Sequence, residues 1–446
     1  MNALRQLEWA LLELQQSTPL ASVSGTISEI APTHFRVSGL SRFVRLGELI
    51  GVNSAGKRQI GEVVRIDSDG IVAKPFDRQF AGGLGSVAYR MPPLSFAPDP
   101  SWKGRVINAL GAPLDGQGPL IQGPQAVSAE AEAPSAMKRA RVHKPLRTGV
   151  RVIDLFSPIC AGQRVGIFAG SGVGKSTLLA MLARSQGFDT VVLALVGERG
   201  REVREFIEDV LGSDRHRAVT IVSTGDESPM MRRLAPKTAM AVAEYFRDRG
   251  ESVLLMVDSI TRFAHAAREV ALAAGEPAVA RGYAPTVFTD LPRLLERAGP
   301  GEEGSGTITG IFSVLVDGDD HNEPIADTIR STLDGHIVLS RHIADQARYP
   351  AVDVLASVSR LAHNVWDPEE RELVSKLRAM IAQYEDTRDL RLMGGYQSGR
   401  DSGLDQAVDM VPRIYNAMRQ GASAPPSADP FRELRDMLKG DQRTEG

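Results

Sequence analysis

A glycine-rich segment followed by a lysine and a serine has the composition needed to hold a phosphate group. Residues 169–176 read Ala-Gly-Ser-Gly-Val-Gly-Lys-Ser and come directly after an apolar run at 164–169. The glycines allow backbone N–H groups to curl around phosphate oxygens, and the positive end of a following helix would face the same anion. The amine of Lys175 would reach the β- and γ-phosphates of a nucleoside triphosphate, and the hydroxyl of Ser176 would ligate Mg²⁺.

This segment departs from the common pattern at its first position, where Ala169 replaces a glycine. Alanine is small enough to keep the tight turn. The Lys-Ser pair and the order of strand, turn and helix favour a nucleotide site over an ordinary glycine-rich turn. The predicted nucleotide-binding residues are Ala169, Gly170, Ser171, Gly172, Val173, Gly174, Lys175, Ser176 and Thr177.

Two carboxylates, Glu198 and Asp258, come at the ends of other apolar runs. Because open α/β sheets bind ligands at the carboxyl ends of their strands, we expect Lys175, Glu198 and Asp258 to converge. Asp258 would orient Mg²⁺ together with Ser176, and Glu198 would place a water in line with the γ-phosphorus. Two other interpretations stay open, namely Asp258 as a helix cap and Glu198 as a surface partner of Arg199 or Arg201.

The elements that must position these residues alternate between strand-like and helical segments from about residue 101 to 366. This alternation predicts a mostly parallel, doubly wound sheet. After Trp366 the segments are helical and rich in Glu, Arg and Leu, which predicts a helical C-terminal domain. The predicted strands of the sheet are 164–169, 191–196, 219–223, 253–257, 311–316 and 336–340.

The N-terminal part of the chain has a different pattern. Residues 21–92 contain short β-rich runs separated by turn signals, which predicts a small barrel or a sandwich. Residues 91–100 hold four prolines and are interpreted as a linker. Leucines at helical spacing within residues 1–17 predict an amphipathic helix, whose apolar stripe either packs on its own domain or docks a partner.

Composition limits the classes of protein that fit. The chain has 446 residues, 42% hydrophobic and 24% charged, with a net charge of −3, which suits a globular protein of two or three domains. That charge argues against a protein that mainly coats nucleic acid. Cys160 is the single cysteine, and no apolar run is long enough to cross a bilayer. Charged residues interrupt the N-terminal apolar positions, so we expect no signal peptide and a cytoplasmic protein.

Further motifs, in a fixed order, resemble those of the catalytic subunits of rotary ATP synthases. The resemblance is closer still to the flagellar and type III secretion export ATPases, and it covers most of the chain. It implies a RecA-like P-loop ATPase core with an N-terminal β-barrel domain and a helical C-terminal domain, assembled as a ring of six. The motifs occupy residues 197–206, 258–264, 274–277, 281–285, 319–327 and 349–360.

The same resemblance implies domains and individual roles. It places a partner-docking helix at 1–20, the barrel at 21–92, the ATPase domain at 93–366 and the helical domain at 367–446. Glu198 would activate water, Arg199 would contact the γ-phosphate and Tyr349 would stack on adenine. Arg360 would be an arginine finger that enters the neighbouring subunit's site, although without the resemblance it reads as a surface ion pair. The implied catalytic residues are Lys175, Glu198, Arg199 and Arg360.

The function implied by the resemblance is Mg²⁺-dependent ATP hydrolysis that energises flagellar protein export. Implied partners are a stator-like regulatory protein at the N-terminal helix, a coiled-coil stalk protein, the membrane-embedded export gate, and export substrates with their chaperones. The homohexamer would associate only peripherally with the cytoplasmic face of the inner membrane.

Three alternatives remain. An export ATPase of a virulence injectisome has nearly the same motifs. A non-catalytic ring subunit typically has glutamine at the position of Glu198. An RNA-driven hexameric helicase would need an aromatic and basic face in the barrel, which residues 21–92 lack, so we expect no nucleic acid partner.

Overall fold

A computed structural model describes residues 22–54, 56–316 and 323–440. The helix predicted at 1–20 and part of the 319–327 motif lie outside these ranges. The described residues form two compact units, one of 22–94 with 228–230 and 269–277, and a second that contains the remainder. The domain boundaries at 92 and 366 stay predictions.

The first unit is built around a closed antiparallel barrel with the strand order β1-β2-β5-β4-β3-β6. Its core follows from alternation along the strands, since Phe35 and Val37 of β2 are buried and their neighbours are partly exposed. Of the two architectures left open by the sequence, the barrel is therefore correct. The strands are β1 (Ser24–Ala31), β2 (His34–Ser38), β3 (Leu49–Ser54), β4 (Lys57–Ile66), β5 (Ile71–Pro75) and β6 (Val87–Arg90).

The second unit contains a nine-stranded sheet with the order β19-β18-β12-β17-β15-β13-β14-β8, and β16 pairs with β17 beside this path. Neighbours along the path are parallel except β18 and β19. The remaining strands are β7 (Ser95–Phe96), β8 (Val106–Asn108), β9 (Val127–Ser128), β10 (Pro145–Leu146), β11 (Ile159–Cys160), β12 (Arg164–Ala169), β13 (Thr190–Val196), β14 (Ala218–Ser223), β15 (Ser252–Asp258), β16 (Gly299–Pro300), β17 (Thr307–Leu315), β18 (Gly335–Leu339) and β19 (Val352–Ser359).

The predicted mostly parallel sheet is confirmed, because its central strands are buried on both faces as parallel strands require. Most predicted strands match to within one residue, whereas β17 begins four residues earlier than expected, at Thr307. The edge strand β19 was not predicted. The proline-rich segment 91–100 also carries the short strand β7, which pairs with β9.

Three of the helices after residue 366, at Pro368–Asp386, Ser402–Ala417 and Pro430–Gly440, bury apolar side chains in the same hydrophobic core as strands β12 and β13. The helical C-terminal region is thus confirmed. The α-helices are α1 (Arg151–Phe156), α2 (Lys175–Ala183), α3 (Gly200–Glu205), α4 (Pro229–Asp248), α5 (Ile260–Ala273), α6 (Pro285–Glu296), α7 (Pro324–Thr332), α8 (Arg341–Asp345), α9 (Pro368–Asp386), α10 (Arg388–Leu392), α11 (Ser402–Ala417) and α12 (Pro430–Gly440).

Local signals explain where the C-terminal helices begin. Asp367 and Glu370 form a reciprocal capping box at the start of α9, and the Asp401 carboxylate accepts N–H groups at the start of α11. Within the described ranges, no helix is both long enough and apolar enough to span a bilayer.

Candidate active site

The glycine-rich segment lies at the centre of the sheet, between the end of β12 and the start of α2. Strand β12 pairs with β17 on one side and β18 on the other. Gly172 and Gly174 have φ values of 78° and 91°, a left-handed conformation that strains other residues. The strand, turn and helix follow in the predicted order, and the exposed Ser176 and Thr177 lie in the first turn of α2.

Lys175 pairs with the carboxylate of Asp258, the last residue of β15. The lysine Nζ contacts Asp258 Oδ1, and the hydroxyl of Ser313 donates a hydrogen bond of 2.6 Å to the same oxygen. Asp258 is buried. Because Lys175, at the start of α2, and Ser313, within β17, bind the same carboxylate oxygen, the carboxylate is held in a fixed orientation.

Glu198 follows β13 through a turn that requires glycine. Gly197 has a φ of 69°, and a Cβ there would lie 2.6 Å from the Cδ of Arg262. The Gly197 N–H donates to the Ser223 carbonyl at 2.6 Å, and the Gly225 N–H donates to the Glu198 carbonyl at 3.0 Å. These two backbone hydrogen bonds fix the turn on which the Glu198 carboxylate is carried.

The Glu198 side chain is 14% exposed, and its Oε1 lies 3.5 Å from Nε of Arg262. Burial and, to a smaller extent, the charge of Asp258 raise the pKa of Glu198, which reaches about 7 although Lys175 and Arg262 act in the opposite direction. A carboxyl group with this pKa can accept or release a proton near neutral pH. The expected convergence of Lys175, Glu198 and Asp258 is found.

Arg199 lies apart from this cluster. Its side chain is 81% exposed and pairs with Glu202 at 3.6 Å, while Arg201 pairs with Glu205. The surface pairing considered for Glu198 is therefore absent from the described residues, where Arg262 takes that place. The structure does not bring Arg199 to the glycine-rich segment.

Tyr349 and Arg360 lie at opposite ends of β19. Tyr349 precedes the strand, and a Cβ at Gly174 would lie 3.4 Å from two of its ring carbons, so the ring is beside the phosphate-binding turn. Arg360 follows the strand and its N–H donates to the Asp334 carbonyl at 3.0 Å. Its side chain is exposed, and no ion pair to it is found among the described residues.

The register shows why these two residues are far apart. The start of β19 pairs with the end of β18, and the end of β19 pairs with Gly335 at the start of β18. Because β18 is parallel to β12, Arg360 lies near the amino ends of these strands, whereas the glycine-rich segment follows the carboxyl end of β12. Eight strand residues span about 26 Å, more than an arginine side chain can cover.

Three residues near the site were missed from the sequence, namely Arg262, Ser313 and Arg341. Arg341 Nη2 donates to the Ser171 carbonyl at 3.1 Å. Arg341 directly follows the end of a predicted strand, which is the same signal that identified Glu198. Ser313 is a polar residue within an apolar run, and Arg262 lies inside the 258–264 motif, so each had a signal of its own.

Comparisons with known proteins identify the family of the chain. Residues 149–359 match the ATP synthase alpha/beta family, nucleotide-binding domain, and residues 366–438 match the T3SS EscN ATPase C-terminal domain. The flagellum-specific ATP synthase of Agrobacterium fabrum is 56% identical over 93% of this chain and 88% of its own length. The SPI-2 type 3 secretion system ATPase of Salmonella typhimurium is 45% identical over 84% of this chain and 86% of its own.

Solved structures give the same result. The assembled ATPase EscN of the enteropathogenic E. coli type III secretion system has a TM-score of 0.86 and 38% identity, covering 93% of this chain and 99% of EscN. EscN in complex with its central stalk EscO has a TM-score of 0.84 at the same identity and coverage. The chain therefore belongs to the ATP synthase alpha/beta family, in the group that contains the flagellum-specific ATP synthases and the type III secretion ATPases.

Proposed function

We propose that this ATPase hydrolyses ATP to ADP and phosphate in order to energise protein export through the flagellar type III apparatus. The observation that carries the hydrolytic part is Glu198, a shielded carboxyl group with a pKa near 7 in one cluster with Lys175 and Asp258. The flagellar part is supported by identity, which is 56% to a flagellum-specific relative and 45% to a type III secretion ATPase of Salmonella. An injectisome ATPase is the second candidate, because relatives of that kind also match most of the chain.

The residues present fit a Mg²⁺ ion brought in with the nucleotide. Among the residues that the structure covers, no group of three or more His, Cys, Asp or Glu side chains could hold a metal alone. Mg²⁺ in nucleotidases is instead bound by one or two protein oxygens, substrate phosphates and water. Ser176 offers an exposed hydroxyl, and Asp258 Oδ2 has no hydrogen-bond partner in the described ranges. When bound there, Mg²⁺ would neutralise charge on the β- and γ-phosphates.

The chain's own groups account for the remaining chemistry. Backbone N–H groups of the glycine-rich turn and the start of α2 bind phosphate oxygens, and Lys175 moves from Asp258 to the β- and γ-phosphates. Glu198 accepts a proton from the water whose oxygen attacks the γ-phosphorus. The bond between the γ-phosphorus and the bridging oxygen breaks, and ADP leaves with that electron pair. Tyr349 holds adenine, and Arg199 turns inward to the γ-phosphate.

Arg360 acts on a second copy of the chain. Because it lies at the opposite end of the strands, it cannot reach the site of its own chain. Its exposed side chain is available to a neighbour. A homohexameric ring provides that neighbour for every site. The EscN structures support the assembly, since one is of the assembled ATPase and another holds its central stalk EscO.

The remaining partners follow the same scheme. A coiled-coil stalk protein occupies the centre of the ring, and residues 1–20 dock a stator-like regulatory protein. The ring works at the cytoplasmic face of the inner membrane, where it meets the export gate and the substrates with their chaperones. Residues 21–92, 93–366 and 367–446 are its barrel, ATPase and helical domains.

A genetic complementation experiment tests this function. We expect a strain that lacks the gene to have no flagella and not to swim, and the wild-type gene to restore both. Glu198→Gln should fail to restore them although the protein accumulates normally, and the exposed Glu205→Gln should succeed. Normal flagella in the deletion strain would contradict the flagellar assignment.

A further inference from the structure

Gln420 lies in the turn that follows α11 and is 6% exposed. Its backbone N–H donates to the carbonyl of Tyr349 at 3.0 Å. Its side-chain oxygen accepts the N–H of Arg151 at 2.9 Å, and its side-chain NH₂ donates to the carbonyl of Gly149 at 2.8 Å. Gln420 therefore connects Tyr349 to a loop that is distant in the sequence.

The loop that holds the Gln420 side chain, residues 148–151, is itself fixed by hydrogen bonds. The buried carboxylate of Asp154 accepts the N–H groups of Thr148 and Gly149, at 2.9 and 3.0 Å, and the hydroxyl of Thr148 at 2.8 Å. Gly149 has a φ of 78°, and a Cβ there would lie 2.5 Å from Cβ of Pro426. The anchor of the Gln420 side chain thus has little freedom to shift.

Arg348 and Tyr349 form the segment to which Gln420 is bonded, and the ring of Tyr349 lies beside the glycine-rich turn. Tyr349 is 42% exposed, and two of its ring carbons are 3.4 Å from a Cβ built at Gly174. The preceding residue is held as well, because the guanidinium of Arg348 lies 3.6 Å from the centre of the Tyr415 ring on α11. The hydrogen bond to the backbone of Tyr349 itself comes from the backbone N–H of Gln420.

We propose that Gln420 is a positioning residue for the purine of the nucleotide: it holds the Tyr349 ring at the distance from the phosphate-binding turn that an adenine base requires. This inference rests on the proposed role of Tyr349 in stacking on adenine. The side chain of Gln420 touches neither phosphate nor base, so its loss should affect the part of the affinity that comes from adenine and spare the part that comes from phosphate.

The test compares ADP with inorganic pyrophosphate, a probe that has no base, by calorimetric titration of the full-length protein. Gln420→Met has a similar length but cannot make the side-chain hydrogen bonds to Arg151, Gly149 and Pro425. We expect it to raise the Kd for ADP about tenfold, part of the effect of losing one base stack, with an unchanged Kd for pyrophosphate. The KM for ATP should rise while kcat changes little.

Ser427→Ala is the matched control. The Ser427 hydroxyl donates to Glu433 at 2.9 Å in the same loop, but it does not contact Tyr349. We expect this variant to lower the thermal midpoint without altering the Kd for ADP. If Gln420→Met does not fold, Gln420→Glu serves instead, because it keeps the side-chain size and one acceptor while placing an oxygen against the carbonyl of Gly149.

A double-variant cycle with Tyr349→Ala separates the two claims. We expect Tyr349→Ala to weaken ADP binding at least as much as Gln420→Met, and the double variant to bind no more weakly than Tyr349→Ala. Wild-type ADP affinity in Tyr349→Ala would remove the adenine role itself. Weak binding in Tyr349→Ala with normal binding in Gln420→Met would overturn only the positioning role, as would additive losses in the double variant.

Discussion

The central sheet has a carboxyl edge, formed by the carboxyl ends of its parallel strands, and an opposite edge, formed by their amino ends. These two edges hold their functional side chains in different ways. At the carboxyl edge, Lys175, Glu198 and Asp258 are shielded from solvent and bound to one another or to fixed neighbours. At the opposite edge, Arg360 donates its backbone N–H to the Asp334 carbonyl, its side chain is exposed, and no ion pair to it is found among the described residues. In the proposed function, one edge binds and cleaves a nucleotide within a chain, and the other presents a cation to a second chain.

This difference separates binding from catalysis. A substitution at the carboxyl edge changes groups that touch the nucleotide or one another, so affinity, pKa values and turnover can all respond. A substitution of Arg360 removes a group that no other side chain of the described structure depends on. It should therefore affect turnover alone.

The largest effect is expected for Arg360→Ala. Loss of an arginine finger lowers turnover by about 10³- to 10⁵-fold in other nucleotidases, and we expect a loss in this range with unchanged ADP affinity and thermal midpoint. Steady-state ATPase assays at saturating ATP, together with ADP titration, measure both.

Two variants control that experiment. Arg360→Lys should remain defective, because the ammonium group cannot reproduce the fork of the guanidinium. Arg400→Ala, at another exposed arginine, should hydrolyse ATP at the wild-type rate. Wild-type turnover in Arg360→Ala would remove the proposed difference between the two edges.

The second effect is expected at Glu198. Glu198→Gln keeps the size of the side chain but cannot accept a proton, so we expect turnover to fall by about 10²- to 10⁴-fold while ATP still binds. Single-turnover measurements separate the chemical step from binding, and Glu205→Gln on the exposed face of α3 serves as the control. Equal turnover in Glu198→Gln and wild type would show that the water is activated by another group.

A smaller effect is expected from pH. The pKa of Glu198 is raised to about 7, so its ionised, proton-accepting form is lost as the pH falls through that value. We expect kcat/KM to decline on the acid side with a midpoint near pH 7. A rate that stays level well below that pH would contradict the assignment of Glu198 as the base.

Arg262→Gln sharpens this prediction. The positive charge of Arg262 lowers the pKa of Glu198, so its removal should move the acid midpoint to higher pH. Arg204→Gln, which alters an exposed ion pair of α3, should leave the midpoint where it is. A midpoint in Arg262→Gln that is equal to or lower than that of wild type would contradict the electrostatic account of the cluster.

The sequence predicted the carboxyl edge far better than the opposite one. Apolar runs, glycines and a Lys-Ser pair are local signals, so β12 was predicted at its actual boundaries, with a turn and the start of a helix after it. Strand β19 was missed because it is the outermost strand of the sheet and several of its residues are exposed, which leaves no continuous apolar run. Without that strand, the separation of Tyr349 from Arg360 could not be derived.

Contacts between distant segments were also beyond the sequence. The pairing of Glu198 with Arg262, the hydrogen bond from Ser313 to Asp258 and the bond from Gln420 to Tyr349 each depend on how elements pack. Arg199 gives the opposite case, since the family resemblance implied a contact with the γ-phosphate, whereas its side chain pairs with Glu202.

The central claim is that one chain's Lys175 and Glu198 work with the Arg360 of a neighbour, and mixing two inactive variants tests it most directly. Lys175→Ala should lose nucleotide binding, and Arg360→Ala should bind but not turn over. In mixed rings, an intact nucleotide site from one variant meets an intact Arg360 from the other, so ATPase activity should exceed that of either variant alone. Mixed rings demonstrated by co-purification of two tags, yet without any gain in activity, would contradict a site shared between subunits.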